Sequence, residues 1–348
     1  MRRFVTATIL GVSLFCFPAL AKAAPGPYLQ LLYKKRADLQ KLFDAKTYLA
    51  KPDAETPATN LEDWARQTGW RTDKKLLFYK PANGVPVAIS DEKPPEGTAL
   101  SYAVIDQATG LVLAEKNADD VHRIASLTKL ATIEVALSNN VALNHVQPIV
   151  AADQVGGSRL GVKAGTKFTV SDLLYAALLP SANDATNALA DATHLARDKF
   201  VALMNAKAKE FGLLKTAFSE PSGIDDGNVS TALEYAYLAR NVYARSLVRQ
   251  IATTAKRTIK LLPSGKKITI KNGDRLLTYP EYADVHVIAG KTGYLGPENG
   301  CNLAVGLKSP TGAPRPVIIV LLGENKMTQT MNDAHDLAKW AWAHYEWR

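Results

Sequence analysis

The chain has 348 residues but only two cysteines, Cys16 and Cys301. Cys16 lies in an N-terminal apolar run that reads as removable, so Cys301 is expected to be the one thiol of the mature chain. One thiol cannot form an internal disulfide, and stability must then come from a packed core. After that first run, no stretch approaches the ~18 apolar residues a spanning helix needs. Histidine is scattered rather than clustered: His122, His145, His194, His286, His335 and His344 show no zinc-like spacing. No metal site and no cofactor is expected, and surface or core positions are their ordinary use. Gly110 and Gly293 read as structural positions, not as parts of a phosphate loop. No cluster of Lys and Arg is interleaved with aromatics, so nucleic acid is not an expected partner. There is no internal repeat and no low-complexity tract.

What the chain does have is positive charge. Its formal net charge is +9, with 22% charged and 47% hydrophobic residues. That composition allows a proper core, and the excess charge favours an anionic partner or simply a solvated basic surface. At the N-terminus, Arg2 and Arg3 precede an apolar run from Phe4 to Leu20, and Ala21-Lys22-Ala23 fits a small-x-small cleavage site. Residues 1–23 therefore read as a secretion signal, and Phe15 before Cys16 is too bulky for a lipoprotein cleavage site. The expected location is secreted, periplasmic or cell-wall-associated.

Residues 24–98 read as an N-terminal extension and linker. Leu29, Leu32, Leu39 and Phe43 have a roughly helical spacing, residues 51–60 are linker-like, and Trp64 and Trp70 follow without a clear period. From Ala99 to Arg348 the pattern sharpens into one domain. Leu100 to Ile105 and Leu111 to Glu115 flank a turn at 106–110, a hairpin signature. Helical patterns follow from Ser126 through Leu137, Val170 to Leu179, Ala185 to Ala192, Phe200 to Phe211 with Gly212 as C-cap, and Thr231 to Val248. A second hairpin spans Thr258 to Ile270, and Val285–Ala289, Leu303–Leu307 and Val317–Leu322 read as strands before a last helix from Asn332 to Trp347. Strands at both ends with helices between suggest an α/β (α+β) domain: an antiparallel sheet completed by distant parts of the chain, flanked by helices, with a helical subdomain inserted. Trp340, Trp342 and Trp347 are expected to pack that last helix on the sheet rather than meet a membrane.

The chemistry is carried by three short motifs. Ser126-Leu127-Thr128-Lys129 sets a serine three residues before a lysine at a helix start, which brings both side chains to one face. A neighbouring amine takes the hydroxyl proton and makes a nucleophile, provided burial or another cation lowers its pKa. Ser181-Ala182-Asn183 follows Pro180, and Lys291-Thr292-Gly293 ends a strand-like run after Gly290. Ser264-Gly265-Lys266-Lys267 and Ser138-Asn139-Asn140 fit the same short patterns but read as turns. Acyl transfer needs a nucleophile, a base, an acid and an oxyanion hole. Ser126 is the expected nucleophile, Lys129 its base and Ser181 a proton relay to the leaving amine. Asn183 is expected to hold a substrate amide and contact Lys129. Lys291 keeps the site cationic and, with the Thr292 hydroxyl, receives a carboxylate. Gly293 lets an extended substrate lie against the strand edge. Backbone N–H groups of Ser126 and Tyr294 are the expected oxyanion hole.

This ordered set resembles the low-molecular-mass penicillin-binding proteins, specifically the serine D-alanyl-D-alanine carboxypeptidase family; the three motifs are the standard signature of penicillin-binding proteins and class A β-lactamases. The likeness runs from about residue 99 to 345. Phe200 to Asn205 with Ala208, Glu220-Pro221-Ser222-Gly223-Ile224, Ser230-Thr231-Ala232 and Asn272 to Leu277 also resemble that family's segments. It implies a penicillin-binding-protein/β-lactamase-like transpeptidase fold and removal of the terminal D-Ala from peptidoglycan stem pentapeptides through an acyl-enzyme. Peptidoglycan stem peptides and β-lactam antibiotics are the implied partners. A D,D-endopeptidase that cuts cross-links is the alternative, and the turn at 220–223 with Asn228 to Thr231 is reminiscent of that branch. A β-lactamase using Glu220 to hold water, and a catalytically idle wall-binding protein, are weaker readings. One departure is Gly290, where the family commonly has a larger residue.

Overall fold

Six apolar residues in a row, Val317 to Leu322, need cover on both faces if they form a strand. The computed structural model, which describes residues 86–296, 300–311 and 315–347, gives them that cover. The expected signal segment and positions 24–85 of the expected extension lie outside the described residues. The order begins with β1 (Pro86–Ala88), the hairpin β2 (Ser101–Asp106) and β3 (Val112–Lys116), and β4 (His122–Arg123). A 3₁₀ turn, Ala125–Thr128, runs into α1 (Lys129–Ser138). Then come β5 (Val146–Pro148), β6 (Lys167–Thr169), α2 (Val170–Leu178), α3 (Asn183–Asp191) and α4 (Arg197–Glu210). Next are β7 (Val229–Ser230), α5 (Ala232–Tyr243), α6 (Ser246–Ala252) and the hairpin β8 (Lys256–Lys260) and β9 (Lys267–Lys271). The last elements are α7 (Arg275–Thr278), β10 (His286–Tyr294), β11 (Cys301–Lys308), β12 (Val317–Glu324), α8 (Met327–His344) and β13 (Tyr345–Trp347).

Five strands form one antiparallel sheet in the order β10-β11-β12-β2-β3. The N-terminal hairpin therefore completes a sheet begun by the C-terminal strands, with the helical elements inserted between them in sequence. One face packs on α8, where Val305, Ile319 and Leu321 join Met331, Ala334, Leu337 and Ala338. The other face is covered by α5, and Tyr243 Oη donates to the Ala304 carbonyl at 2.7 Å. Burial on both faces is why β12 is apolar without alternation. Helix α1 is buried along Lys129 to Ala136, so it has no solvent side to make polar. Trp340, Trp342 and Trp347 pack against the core, and the Trp347 indole donates to Asp106 Oδ1 at 2.8 Å. No described helix is long and apolar enough to cross a membrane.

Two elements differ from expectation. The helix expected over 231–248 is broken between α5 and α6. At the break Arg245 grips Glu134 of α1 with two bonds of 2.6 and 2.7 Å, and Arg249 caps the Tyr243 and Ala244 carbonyls at 2.7 Å each. The last helix begins at Met327 and stops at His344, after which β13 pairs with β1. The third motif lies at the end of β10, as expected: Lys291, Thr292 and Gly293 pair with Ala304, Leu303 and Asn302.

Candidate active site

Ser126 sits in the 3₁₀ turn and Lys129 opens α1. Three residues per turn stack i and i+3 directly. Lys129 Nζ is 2.9 Å from Ser126 Oγ, 2.6 Å from Asn183 Oδ1 and 2.5 Å from the Ser222 carbonyl oxygen. The lysine is fully buried, and its pKa is driven well down by burial first and then by the Lys291 charge, against the pull of Glu220 and Asp184. A neutral amine has two hydrogens and one lone pair. The Asn183 and Ser222 oxygens can only accept, so they take both hydrogens. The lone pair is left facing the Ser126 hydroxyl, which is the arrangement a general base needs.

The turn is held from three sides. Ala125 has φ 49°, and a Cβ on Gly223 would lie 2.0 Å from the Ala125 carbonyl oxygen, so only glycine lets the 220–224 segment press on the nucleophile turn. A Cβ on Gly293 would lie 3.1 Å from the Ile124 carbonyl oxygen, so β10 closes against the same turn. The glycine expected to admit a substrate thus also admits the protein's own backbone. Tyr235 Oη donates to the Leu127 carbonyl from beneath, and Thr132 Oγ1 donates to the Pro221 carbonyl at 2.6 Å.

Asn183 opens α3. Its Nδ2 donates to the Gly156 carbonyl at 2.7 Å, which fixes the amide with its oxygen toward Lys129. Ser181 has φ 62°, and its buried Oγ has no hydrogen-bond partner among the described residues. The structure therefore does not join Ser181 to either lysine through a hydrogen bond, and leaves its hydroxyl unspent in a strained backbone. Lys291 is 2% exposed and donates to the Thr292 carbonyl at 2.7 Å. Burial pulls its pKa down to about 7, while Asp274 opposes the fall. Tyr294 is exposed at the end of β10, the free edge of the sheet. Cys301 is buried on the neighbouring strand, and its thiol pKa is raised by burial.

Glu220 is fully engaged. Oε2 accepts from the Ser222 backbone at 2.7 Å and hydroxyl at 2.6 Å; Oε1 accepts from Gly223 N, from Ile224 N at 2.9 Å and from Asn228 Nδ2 at 2.7 Å. An asparagine does reach this carboxylate, from position 228, but it donates to it directly. Glu220 is thus a clamp for its own turn, with no lone pair left for a water. Sequence reasoning missed this clamp, the Ser222 and Gly156 carbonyls, and Asp274. The two carbonyls carry no side-chain signal; Asp274 reads as one more polar turn residue after Asn272-Gly273. Among the described residues, no group of three His, Cys, Asp or Glu is placed to hold a metal ion.

Residues 88–325 match the family model described as D-alanyl-D-alanine carboxypeptidase. The chain is similar to a D-alanyl-D-alanine endopeptidase of Pseudomonas aeruginosa, 31% identical over 74% of this chain and 84% of that protein. It is also similar to the D-alanyl-D-alanine carboxypeptidase DacB2 of Mycobacterium tuberculosis, 34% identical over 62% of this chain and 70% of that one. Among solved structures, the Streptomyces K15 DD-transpeptidase superposes with a TM-score of 0.65 at 28% identity, covering 72% of this chain and 100% of the other. Fold and site define a serine acyl-transfer enzyme on the penicillin-binding transpeptidase scaffold. Within that class, the chain belongs to the D-alanyl-D-alanine carboxypeptidase family of serine peptidases.

Proposed function

We propose that the protein is a D-alanyl-D-alanine carboxypeptidase that trims the terminal D-Ala from peptidoglycan stem pentapeptides and is inhibited by β-lactams. The observation that carries this is the triple contact of Lys129 with Ser126, Asn183 and the Ser222 carbonyl. Ser126 Oγ attacks the carbonyl of the penultimate D-Ala as its proton passes to Lys129. The tetrahedral oxyanion is received by the backbone N–H groups of Ser126 and Tyr294. The proton then moves through Ser181 to the departing amine, the C–N bond breaks, and free D-Ala leaves. Water attacks the ester on Ser126, releasing a shortened stem with a free carboxylate and returning the proton to serine. Lys291 and the Thr292 hydroxyl hold the substrate's terminal carboxylate, while Asn183 positions its amide. A β-lactam enters as the same acyl donor, but its leaving group stays tethered.

A second reading is a D,D-endopeptidase, which cuts the same kind of bond where the leaving amine belongs to a cross-linked stem. The specific support is the Pseudomonas aeruginosa endopeptidase, of which this chain covers 84%. In either case we propose export, with residues 1–23 removed; N-terminal sequencing of the secreted chain tests it, and a retained Met1 overturns it. The deciding experiment is mass spectrometry of purified muropeptides incubated with the mature chain and with Ser126→Ala. Loss of one alanine from monomers, by wild type only, is the expected result. Conversion of cross-linked dimers to monomers selects the endopeptidase. No change in either pool, with β-lactam still bound covalently, overturns both.

A further inference from the structure

The β8–β9 hairpin is built against its own electrostatics. On its outward face Lys256 stands directly across from Lys271, and Lys260 across from Lys267, with Thr258 and Thr269 between the two pairs. All six side chains are exposed. Like charges directly opposite on antiparallel strands destabilise a sheet. The inner face already anchors the hairpin: Ile259 and Ile270 are buried, and Arg257 lies 3.9 Å over the Tyr175 ring. The lysines are thus not needed to hold the hairpin down. Lys266 near the tip, and Lys167, whose backbone pairs with Leu262, add two more exposed cations. Among the described residues, none of these six lysines is ion-paired with a carboxylate. The four face lysines sit at the corners of a flat patch roughly 5 Å by 14 Å, from strand spacing and rise.

The hairpin also leads to the site. Beyond Lys271, Asn272 and Gly273 carry the chain to the site wall. Gly273 N donates to the Leu179 carbonyl at 3.1 Å, and a Cβ there would lie 3.9 Å from Thr292 Oγ1. The near end of the lysine face, at Lys271, is thus two residues from a glycine that lies beside Thr292. We propose that the outward face of the β8–β9 hairpin is a docking surface for the polymeric form of the substrate, a wall strand bearing carboxylates at intervals. This rests on the peptidoglycan reading above. Charge complementarity selects the partner: a repeated anion meets unpaired cations, and relief of the Lys–Lys repulsion adds to binding.

The test uses the mature chain and its Lys256→Gln/Lys260→Gln/Lys267→Gln/Lys271→Gln variant. Three quantities are measured at low and high salt: β-lactam acylation, turnover of a short soluble D-Ala-D-Ala peptide, and co-sedimentation with insoluble peptidoglycan. The variant should match wild type in the first two and melt no lower, since it loses only repulsion. Its binding to peptidoglycan at low salt should fall by about tenfold or more, and wild-type binding should drop toward the variant's as salt screens the contact. Chemical amidation of the polymer's carboxylates should abolish the difference. Equal co-sedimentation of the two proteins overturns the proposal, as does a parallel loss of acylation, which would place the lysines in the site or the fold. Binding to vesicles of anionic phospholipid without binding to peptidoglycan overturns it in favour of a membrane surface. Because co-sedimentation needs no turnover, an inactive but β-lactam-binding chain would refute the hydrolytic reading while still reporting on docking.

Discussion

A Cβ built on Gly290 would lie 2.1 Å from Oδ2 of Asp274. The residue before Lys291 is small because a buried carboxylate occupies the space a side chain would take. Asp274 is 1% exposed; its Oδ1 accepts from Leu276 N at 3.0 Å, and its Oδ2 has no hydrogen-bond partner among the described residues. Burial raises its pKa to about 6, with Lys291 pulling the other way. Each of the two favours the charged form of the other across a low-dielectric wall.

Gly290→Ala should therefore be costly for so small a change. The added methyl must displace the carboxylate or bend β10, and overpacking of this kind typically costs about 1–3 kcal/mol. A lower melting temperature and slower β-lactam acylation are expected together. An unchanged melting temperature would mean that the Asp274 side chain moves aside freely.

The pH dependence of binding follows from Lys291. Its folded pKa of about 7 lies below the ordinary 10.5. Between those values the unfolded chain holds a proton that the folded chain has lost, so this group makes stability rise with pH across that window. Asp274 works in the opposite sense: between 3.8 and about 6 the folded chain holds the extra proton, and its contribution falls as pH rises. A carboxylate-bearing peptide needs Lys291 charged, so its KM should climb as pH passes about 7. Asp274→Asn removes the supporting charge and should move that climb to lower pH. A KM flat from acid to alkaline conditions would remove Lys291 from carboxylate binding.

Lys129→Met tests the base. The variant keeps the length of the side chain but leaves the Asn183 and Ser222 oxygens without donors, so some stability is lost, about 1–3 kcal/mol per orphaned acceptor. Acylation should fall by about 100- to 10,000-fold, the usual worth of a positioned general base. A folded variant with near-normal acylation would point to another base.

The sequence shows the parts of this site that are side chains in sequence register. Ser126 and Lys129 are legible because three residues make one turn, and Lys291 because a Lys-Thr-Gly step closes a strand pattern. The sheet is legible because hairpins and apolar runs at both ends of the domain have no other partner. What stays hidden is made by tertiary contact. The Ser222 carbonyl that sets the lone pair of Lys129 lies 93 positions along the chain and has no side-chain signature. The break at Ala244–Arg245 has no Pro or Gly to announce it; Arg245 leaves the helix to reach Glu134. The positive φ of Ala125 and Ser181 runs against residue type, and is imposed by the packing around the nucleophile.

Glu220→Gln separates a peptidase from a β-lactamase. If Glu220 held a hydrolytic water, its amide variant would fold normally, acylate normally and accumulate acyl-enzyme. Its bonding forecasts the contrary. Five donors converge on the carboxylate, and Gln offers one acceptor oxygen and an NH₂ that meets donors head-on. The turn that presses Gly223 on Ala125 and presents the Ser222 carbonyl to Lys129 should then loosen. The expected result is a melting temperature lower by several degrees and slower acylation of Ser126, with no build-up of acyl-enzyme beyond wild type. Circular dichroism melts and intact-protein mass spectrometry after β-lactam exposure read both. A stable variant trapped as acyl-enzyme would make Glu220 the deacylating base and reopen the β-lactamase reading.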